Sequence, residues 1–446
     1  MTAGGQKPDA AGGKLPASCS PSPQGASAAG RPAKAQTRNL PSELREAALG
    51  VAQRLKEQGH RAWIVGGAVR DLLLGLEPGD VDMASAATPE EVEAVFGWTL
   101  PVGKAFGTML VHWPEEASGV EVQVTTFRSE RGYSDARRPD EVAYGRTPEE
   151  DALRRDFTCN ALFLDPLTDE VLDPTGGVAD LVAGRLRCVG EPRERFAEDG
   201  LRLLRLARFA AGFGLEPTPE VIEAARAERA SLRGVSVERV YAELRSIFKR
   251  PGAARALEVL ERCELIEVVL PHLATRGADE IATRRRVLDA LPQPVGTGAG
   301  LAVVFEDDQE LVALRAPLAV QREVSGLWAA RRELEQLDET ATRSQRFLAL
   351  RDEHFDGALH LALAWRAACG LPSNDLQTLA VERAGLTRED LFPEACIDSS
   401  DLAARKVPRG PLWGTILREA ELARLDQVFR DREGALRWLT ERIERG

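Results

Sequence analysis

The chain has 446 residues, 43% hydrophobic and 29% charged, with a net charge of −12. Such a composition fits a water-soluble protein of two to four domains at roughly 100–200 residues each, and no apolar run reaches the ~20 residues of a membrane span. The acidic total argues against nucleic acid only weakly, because phosphate responds to the local potential of clustered basic residues. Six cysteines (19, 159, 188, 263, 369, 396) are scattered without CxxC or Cys/His ligand spacing. They predict structural thiols in a reduced, cytoplasmic setting. The N-terminus lacks the apolar core of a signal peptide.

In chain order, residues 1–38 are Gly, Ala, Ser and Pro with few large apolar groups, too little to offset ordering entropy, and are read as a disordered tail. From Pro41 the apolar residues recur at helical spacing, with Ser42 as the expected cap. Ala62 to Val65 is a short buried strand that ends in Gly66-Gly67. Asp80 to Ala84 predicts a second strand. Thr88-Pro89-Glu90-Glu91 carries a cap, a first-turn Pro and first-turn acids, and starts a helix. Two more strands follow, Gly107 to Trp113 and Val120 to Phe127. The second alternates Val120, Val122, Val124 against Glu121, Gln123, Thr125, so one face is buried and one polar. From about residue 190 the pattern is helical: Arg193 to Phe213, Val221 to Ala230, Val237 to Phe248 and Ala253 to Cys263. Residues 280–446 keep helical periodicity without a chemical signature. The predicted class is α+β. A small mixed-sheet head spans 39–165, a helical neck 166–250, and a helical body and tail 251–446.

The chemistry concentrates in the head. Asp80 and Asp82, at i and i+2 of a strand, point to one face. Two carboxylates there repel unless a cation joins them, and hard oxygen ligands suit Mg²⁺. Two such ions can clamp the attacking and leaving oxygens of a phosphoryl displacement. An isolated Asp-x-Asp is an ordinary solvated pair, and a Gly-Gly turn is equally common. The combination is not. Gly66-Gly67 closes a strand and opens a helix, so a phosphate can approach the backbone, and Arg70 one turn on adds charge. Together these describe a nucleoside triphosphate–metal site. Glu121, on the neighbouring strand, is the candidate third carboxylate, against the alternative of a plain exposed strand residue.

These residues carry a resemblance. Gly66-Gly67-Ala68-Val69-Arg70-Asp71 followed by Asp80-Val81-Asp82 resembles the first motif of the class II tRNA nucleotidyltransferases and bacterial poly(A) polymerases, within the polymerase-β-like nucleotidyltransferase superfamily. Val124 to Glu130 and Tyr133 to Asp140 resemble the strand and loop that follow. Leu153 to Ala161 resembles the second, ribose-selecting motif. Arg195 to Arg205 resembles the fourth motif and Ser236 to Val240 the fifth. Five motifs in order across about residues 61–250 make the likeness specific, whereas the last 200 residues match only in being helical.

The resemblance implies that Asp80 and Asp82 hold two Mg²⁺ ions. Gly66, Gly67, Arg70 and Arg155 would contact the incoming nucleotide, with Asp156 and Asn160 near its ribose. Asp199 and Arg202 would read the base, with Arg205 and Arg208 continuing that face toward the triphosphate. Elementary chemistry agrees with the base-reading role. Three residues apart on a helix share a face, a carboxylate accepts from an exocyclic amine, and a guanidinium donates to a ring acceptor. C and A present an amine beside an acceptor, whereas U and G present a carbonyl there. Outside the motif, the same arginines read as a solvated helix face. One departure stands out. The family usually carries Glu where this chain has Gln123, and Glu121 two residues earlier is the candidate substitute. The five histidines form no His-Asp pair, so no His-Asp phosphohydrolase domain is expected.

The implied activity is template-independent addition of CMP and/or AMP to a tRNA 3′ end, from CTP and ATP, with pyrophosphate released. Within the family, CC-only enzymes commonly have a shortened loop. Here Arg131 to Asp140 is intact, which leaves full CCA addition or A addition. A bacterial poly(A) polymerase shares the chemistry but often has a basic C-terminal extension, which the balanced terminal Arg437 to Gly446 lacks. A non-catalytic RNA-binding module is opposed by the intact Asp80, Asp82, Arg155, Asp199 and Arg202. For tRNA contact the candidates are the Arg-rich segment Arg185 to Arg208 and Lys249-Arg250, with the helical tail clamping the acceptor arm by shape.

Overall fold

Residues 35–103, 107–114, 119–131, 141–338 and 340–445 are described by a computed structural model. The loop at 132–140 and residues 1–34 of the expected tail lie outside them. The chain is ordered earlier than expected: Ala35 is buried, and the Thr37 backbone N–H and hydroxyl both donate to Asp169 Oδ1, at 2.8 and 2.7 Å. Helix α1 (Ser42–Glu57) begins with Pro41 at its cap position, so Ser42 is the first helical residue rather than the cap.

Strand β1 (Ala62–Val65) is buried on both faces. Ile64 enters the main core, while Trp63 and Val65 enter a second cluster with Ala84, Phe127 and Phe163 on the opposite side. That double burial explains its unbroken apolar run. Helix α2 (Gly67–Leu73) and strand β2 (Asp82–Ser85) follow. Helix α3 (Pro89–Val95) carries the expected capping box between Thr88 and Glu91. Strands β3 (Thr99–Gly103), β4 (Thr108–Trp113), β5 (Val120–Thr126), a β6–β7 hairpin (Arg128–Arg131, Glu141–Tyr144), α4 (Pro148–Leu153), β8 (Phe163–Leu164) and β9 (Val171–Leu172) complete the head. The sheet order is β3-β4-β5-β2-β1-β8-β9. Only β2 and β5 pair in parallel, so the sheet is mixed as predicted. β5 buries Val122 and Val124 and exposes Glu121 and Gln123. β3 escaped the pattern because Pro101 interrupts it, and β8 and β9 because they are two residues long.

Beyond the sheet the chain is mostly helical. The amphipathic segment expected as one helix from Arg193 to Phe213 is two, α5 (Pro192–Glu198) and α6 (Leu201–Phe213). Asp199 between them is extended, at φ −148° and ψ 104°, and its Oδ1 accepts the Leu201 N–H at 3.0 Å. The break brings Gly200 against the backbone at Ser231, where an added Cβ would stand 2.4 Å from the carbonyl oxygen. Helix α7 (Val237–Phe248) packs on α6, as does the next helix, Ala253–Arg262.

One apolar core runs from Ala35 through the head and neck to Ala364. Two further clusters, spanning positions 330–391 and 397–439, belong to the C-terminal helices. Among the described residues no helix is long and apolar enough to cross a membrane. The five described cysteines are all unpaired.

Candidate active site

The C-terminal end of β1, the start of β2, the middle of β5 and the two neck helices α6 and α7 converge on one cleft of about 840 Å³. Twelve of the thirteen expected site residues line it: Gly66, Gly67, Arg70, Asp80, Asp82, Arg155, Asp156, Asn160, Asp199, Arg202, Arg205 and Arg208. The exception is Glu121. Its carboxylate lies 3.6 Å from His112 Nε2 on the next strand, and Gln123, in register with Asp82, takes the place on the cleft wall. The expected third carboxylate is thus not among the cleft-lining residues. The side-chain period of two put Glu121 on the right face of β5 but one pleat too far along it.

Asp80 precedes β2 rather than lying in it, yet its charge reaches Asp82. Asp82 is exposed to the cleft, and its carboxyl is raised above the ordinary carboxylate range, first by partial desolvation at the cleft walls and then by Asp80, with Arg155 opposing. A carboxylate raised by a neighbouring like charge in this way is stabilised by a bound cation. The donors available are hard oxygens, two carboxylates with the Thr125 hydroxyl and Gln123 amide on the same wall, and they fit a divalent ion of the Mg²⁺ type. Among the described residues no cluster of three His, Cys, Asp or Glu forms there.

Gly66 adopts φ +66°, a conformation that glycine takes without strain. A Cβ there would come within 3.0 Å of Arg155 Nη1, so the bare backbone is what admits that guanidinium. Arg155 is anchored by Asp151, whose Oδ2 accepts from Nε and Nη2 at 3.0 and 2.8 Å, and by the Asn160 carbonyl. Asp151 is buried and also accepts from Arg154. Burial alone would raise the Asp151 carboxyl, but Arg155 and Arg154 hold it below the ordinary range. No sequence pattern singled out Asp151, because a first-turn acid in a helix reads as a dipole partner.

Arg70 differs from a simple phosphate contact. It is buried, donates twice to Asp71 Oδ1 and once to Asn160 Oδ1, and stacks 3.8 Å from the Phe213 ring centroid. Asn160 in turn donates to Asp156 Oδ1 at 3.1 Å. Asp156 Oδ2 accepts from Arg205 at 2.6 Å, which ties head to neck. Burial pushes the Asp156 carboxyl up, but Arg205 and Asn160 outweigh it and bring it to about 2.

The pair expected to read the base sits at the break between α5 and α6, with Asp199 in the break and Arg202 in the first turn of α6. Asp199 Oδ2 accepts from Arg239 Nη2 at 2.6 Å, so the fifth motif orients the fourth. Arg202 is held by Glu198 and by the carbonyls of Arg195 and Arg154. Nine arginines and five aspartates line the cleft, a local cationic excess in a protein of net charge −12. Of the segments expected to meet RNA, Arg202, Arg205, Arg208 and Arg250 line this cleft, whereas Arg185 and Arg187 pair with Asp180.

This combination of mixed sheet, Gly turn and carboxylate pair is the head of a nucleotidyltransferase. Residues 62–187 match the family described as the poly A polymerase head domain, and residues 214–276 the one described as a probable RNA and SrmB-binding site of polymerase A. The chain is 36% identical over 344 residues to the CCA-adding enzyme of Bacillus pumilus (strain SAFR-032), covering 75% of this chain and 85% of that one. It is 43% identical over 227 residues to the CCA-adding enzyme of Geobacillus stearothermophilus, a match spanning about half of each: 51% of this chain and 55% of that one. The crystal structure of the Bacillus stearothermophilus CCA-adding enzyme in complex with CTP superposes with a TM-score of 0.73 at 31% identity, over 91% of this chain and 98% of that one. The Thermotoga maritima CCA-adding enzyme complexed with tRNA shares the fold, with a TM-score of 0.63 at 19% identity, over 89% of this chain and 95% of that one. The chain belongs to the class II tRNA nucleotidyltransferase family.

Proposed function

We propose that this enzyme adds C and A to the 3′ end of tRNA from CTP and ATP without a template, completing the CCA terminus and releasing pyrophosphate. The head at 39–165 would carry the chemistry, the neck at 166–250 the choice of base, and the helical body and tail at 251–446 the grip on tRNA. The observation that carries this reading is the meeting of Asp199 and Arg202 with Asp80 and Asp82 in one cleft. The Asp/Arg pair would accept the amine-and-acceptor edge shared by C and A, and U and G would leave its donor and acceptor mismatched. Homology to enzymes named for CCA addition favours this over an unlimited poly(A) polymerase. Unpaired thiols and the tRNA substrate support a cytoplasmic site of action.

In the reaction, the RNA 3′-hydroxyl gives up its proton to solvent as its oxygen bonds to the α-phosphorus, the bond from that phosphorus to the bridging oxygen breaks, and the electron pair leaves with pyrophosphate. Asp80 and Asp82 would hold two Mg²⁺ ions, which supply Lewis-acid stabilisation of the attacking and leaving oxygens. Gly66 and Gly67 leave room for phosphate against the backbone, and Arg155 offers charge beside them. Asp156 and Asn160, fixed by Arg205 and Arg70, would face the ribose. Arg202→Ala tests the base-reading role. A hydrogen bond from a charged donor contributes about 1.5–3 kcal/mol, so selection of CTP over UTP should fall roughly 10- to 100-fold in kcat/KM. Unchanged selection would remove Arg202 from that role.

A further inference from the structure

Glu243 lies on α7 behind the cleft wall. It is buried, it does not line the cleft, and no motif drew attention to it. Its carboxylate faces two cleft arginines on α6. Oε2 stands 2.8 Å from Arg208 Nε and Oε1 3.9 Å from Arg205 Nη1. The Arg208 Nε and Glu243 Oε2 atoms are buried without an aligned hydrogen bond among the described residues, so their contact is one of charge. The two arginines differ in what else holds them. Arg205 is committed to Asp156 through Nε and Nη2. For Arg208, Glu243 is the one carboxylate in ion-pair contact among the described residues. The remaining cations at that end, Arg70 and Arg250, stack on Phe213.

Four guanidiniums crowded at one end of a cleft repel one another. Burial favours the uncharged form of Arg208, Glu243 opposes it, and the charges of Arg205 and Arg70 add to the burial effect. A carboxylate behind the wall offsets this without entering the space a ligand would occupy. Its contact is with Nε of an arginine that lines the cleft.

We infer that Glu243 is a positioning residue for the polyphosphate of the incoming nucleotide: it holds the Arg208 guanidinium in place on the cleft wall. The inference rests on the nucleotidyltransferase reading of this cleft. The ligand concerned is the phosphate chain, common to CTP and ATP, so the effect is blind to the base.

The test uses Glu243→Gln in the full chain, with wild-type incorporation onto tRNA measured first, so that failure of the cleft reading is seen separately. Removal of a charge-assisted contact is expected to raise KM for CTP and for ATP by about tenfold each, with kcat within about twofold. Inorganic tripolyphosphate, which has no base, should bind about tenfold more weakly by calorimetry. In an Arg208→Gln background the same Glu243→Gln change should have no further effect on KM, because the two act as one unit. Glu243→Asp keeps the charge and draws it back by one methylene, and should give an intermediate KM if the neutral variant folds poorly. A lowered melting temperature with unchanged KM and unchanged tripolyphosphate affinity would overturn the inference, as would additive effects of the two substitutions. Tighter tripolyphosphate binding would overturn it too, by making Glu243 a competitor for Arg208.

Discussion

Asp82→Ala is expected to abolish measurable incorporation of CMP and AMP while tRNA binding stays within about twofold of wild type. Asp82 lies at the first residue of β2, beside Asp80 and in register with Gln123. Its carboxyl is raised by the cleft walls and by Asp80, so the pair is arranged against itself until a cation arrives. With Glu121 turned to His112, the two aspartates are the carboxylates this wall offers. Removing one removes half of the anionic donor set. Metal stabilisation of transition-state charge contributes several kcal/mol, and each 1.36 kcal/mol is tenfold in rate, so the loss should be on the order of 10³-fold or more. The cleft arginines are untouched, so filter binding of tRNA separates the two effects. Residual activity above about a tenth of wild type would refute the role given to Asp82.

Asp156→Ala should produce the largest loss of stability in the head and neck. The carboxylate is buried and accepts from Arg205, from Asn160 and from the Phe157 backbone N–H. Its removal leaves Arg205 among the other cleft cations, with Glu243 3.9 Å away as its remaining ion-pair contact among the described residues. Breaking a buried ion pair by deleting one partner costs about 3–5 kcal/mol, because a charge is left uncompensated. The same group sets an acid limit. Its folded-state value of about 2 lies below the ordinary 3.8. The stability it contributes is therefore present above pH ~4 and is lost as pH falls toward 2, an amount of about 2 kcal/mol. Urea midpoints for wild type and variant, measured at neutral pH and again near pH 3, check both statements. The gap between them should narrow at the lower pH. A cost below about 1 kcal/mol at neutral pH would show that the head–neck tie is not structural.

Much of this was legible in the sequence where local chemistry decides the outcome. The Thr88 capping box, the alternation of β5 and the run of β1 each depend on a few adjacent residues. The Gly66-Gly67 turn and Asp80/Asp82 could be paired because they stand close along the chain. Features set by distant contacts were not legible. The break at Asp199-Gly200 depends on the backbone at Ser231 coming close enough to exclude a Cβ, and amphipathic periodicity runs straight through it. The destination of Glu121 depends on His112 across a strand pair. The charge of Arg70 is visible in the sequence, but its bonds to Asp71 and Asn160 follow from the folding of the head, and the Phe213 ring beneath it from the packing of the neck. Asp151 and Glu243 carry no pattern at all, since an acid early in a helix and an acid on an amphipathic face are both ordinary.

The central claim is that one protein-lined cleft selects C and A in turn at a tRNA 3′ end. It is tested most directly by incubating the purified chain with CTP, ATP and Mg²⁺ and three tRNA substrates, ending at the discriminator base, at C or at CC, and sequencing the products. The account predicts CCA on the first, CA on the second and a single A on the third, with growth stopping there. Failure to add C to the bare discriminator end, or an A tail that extends without limit, would contradict it.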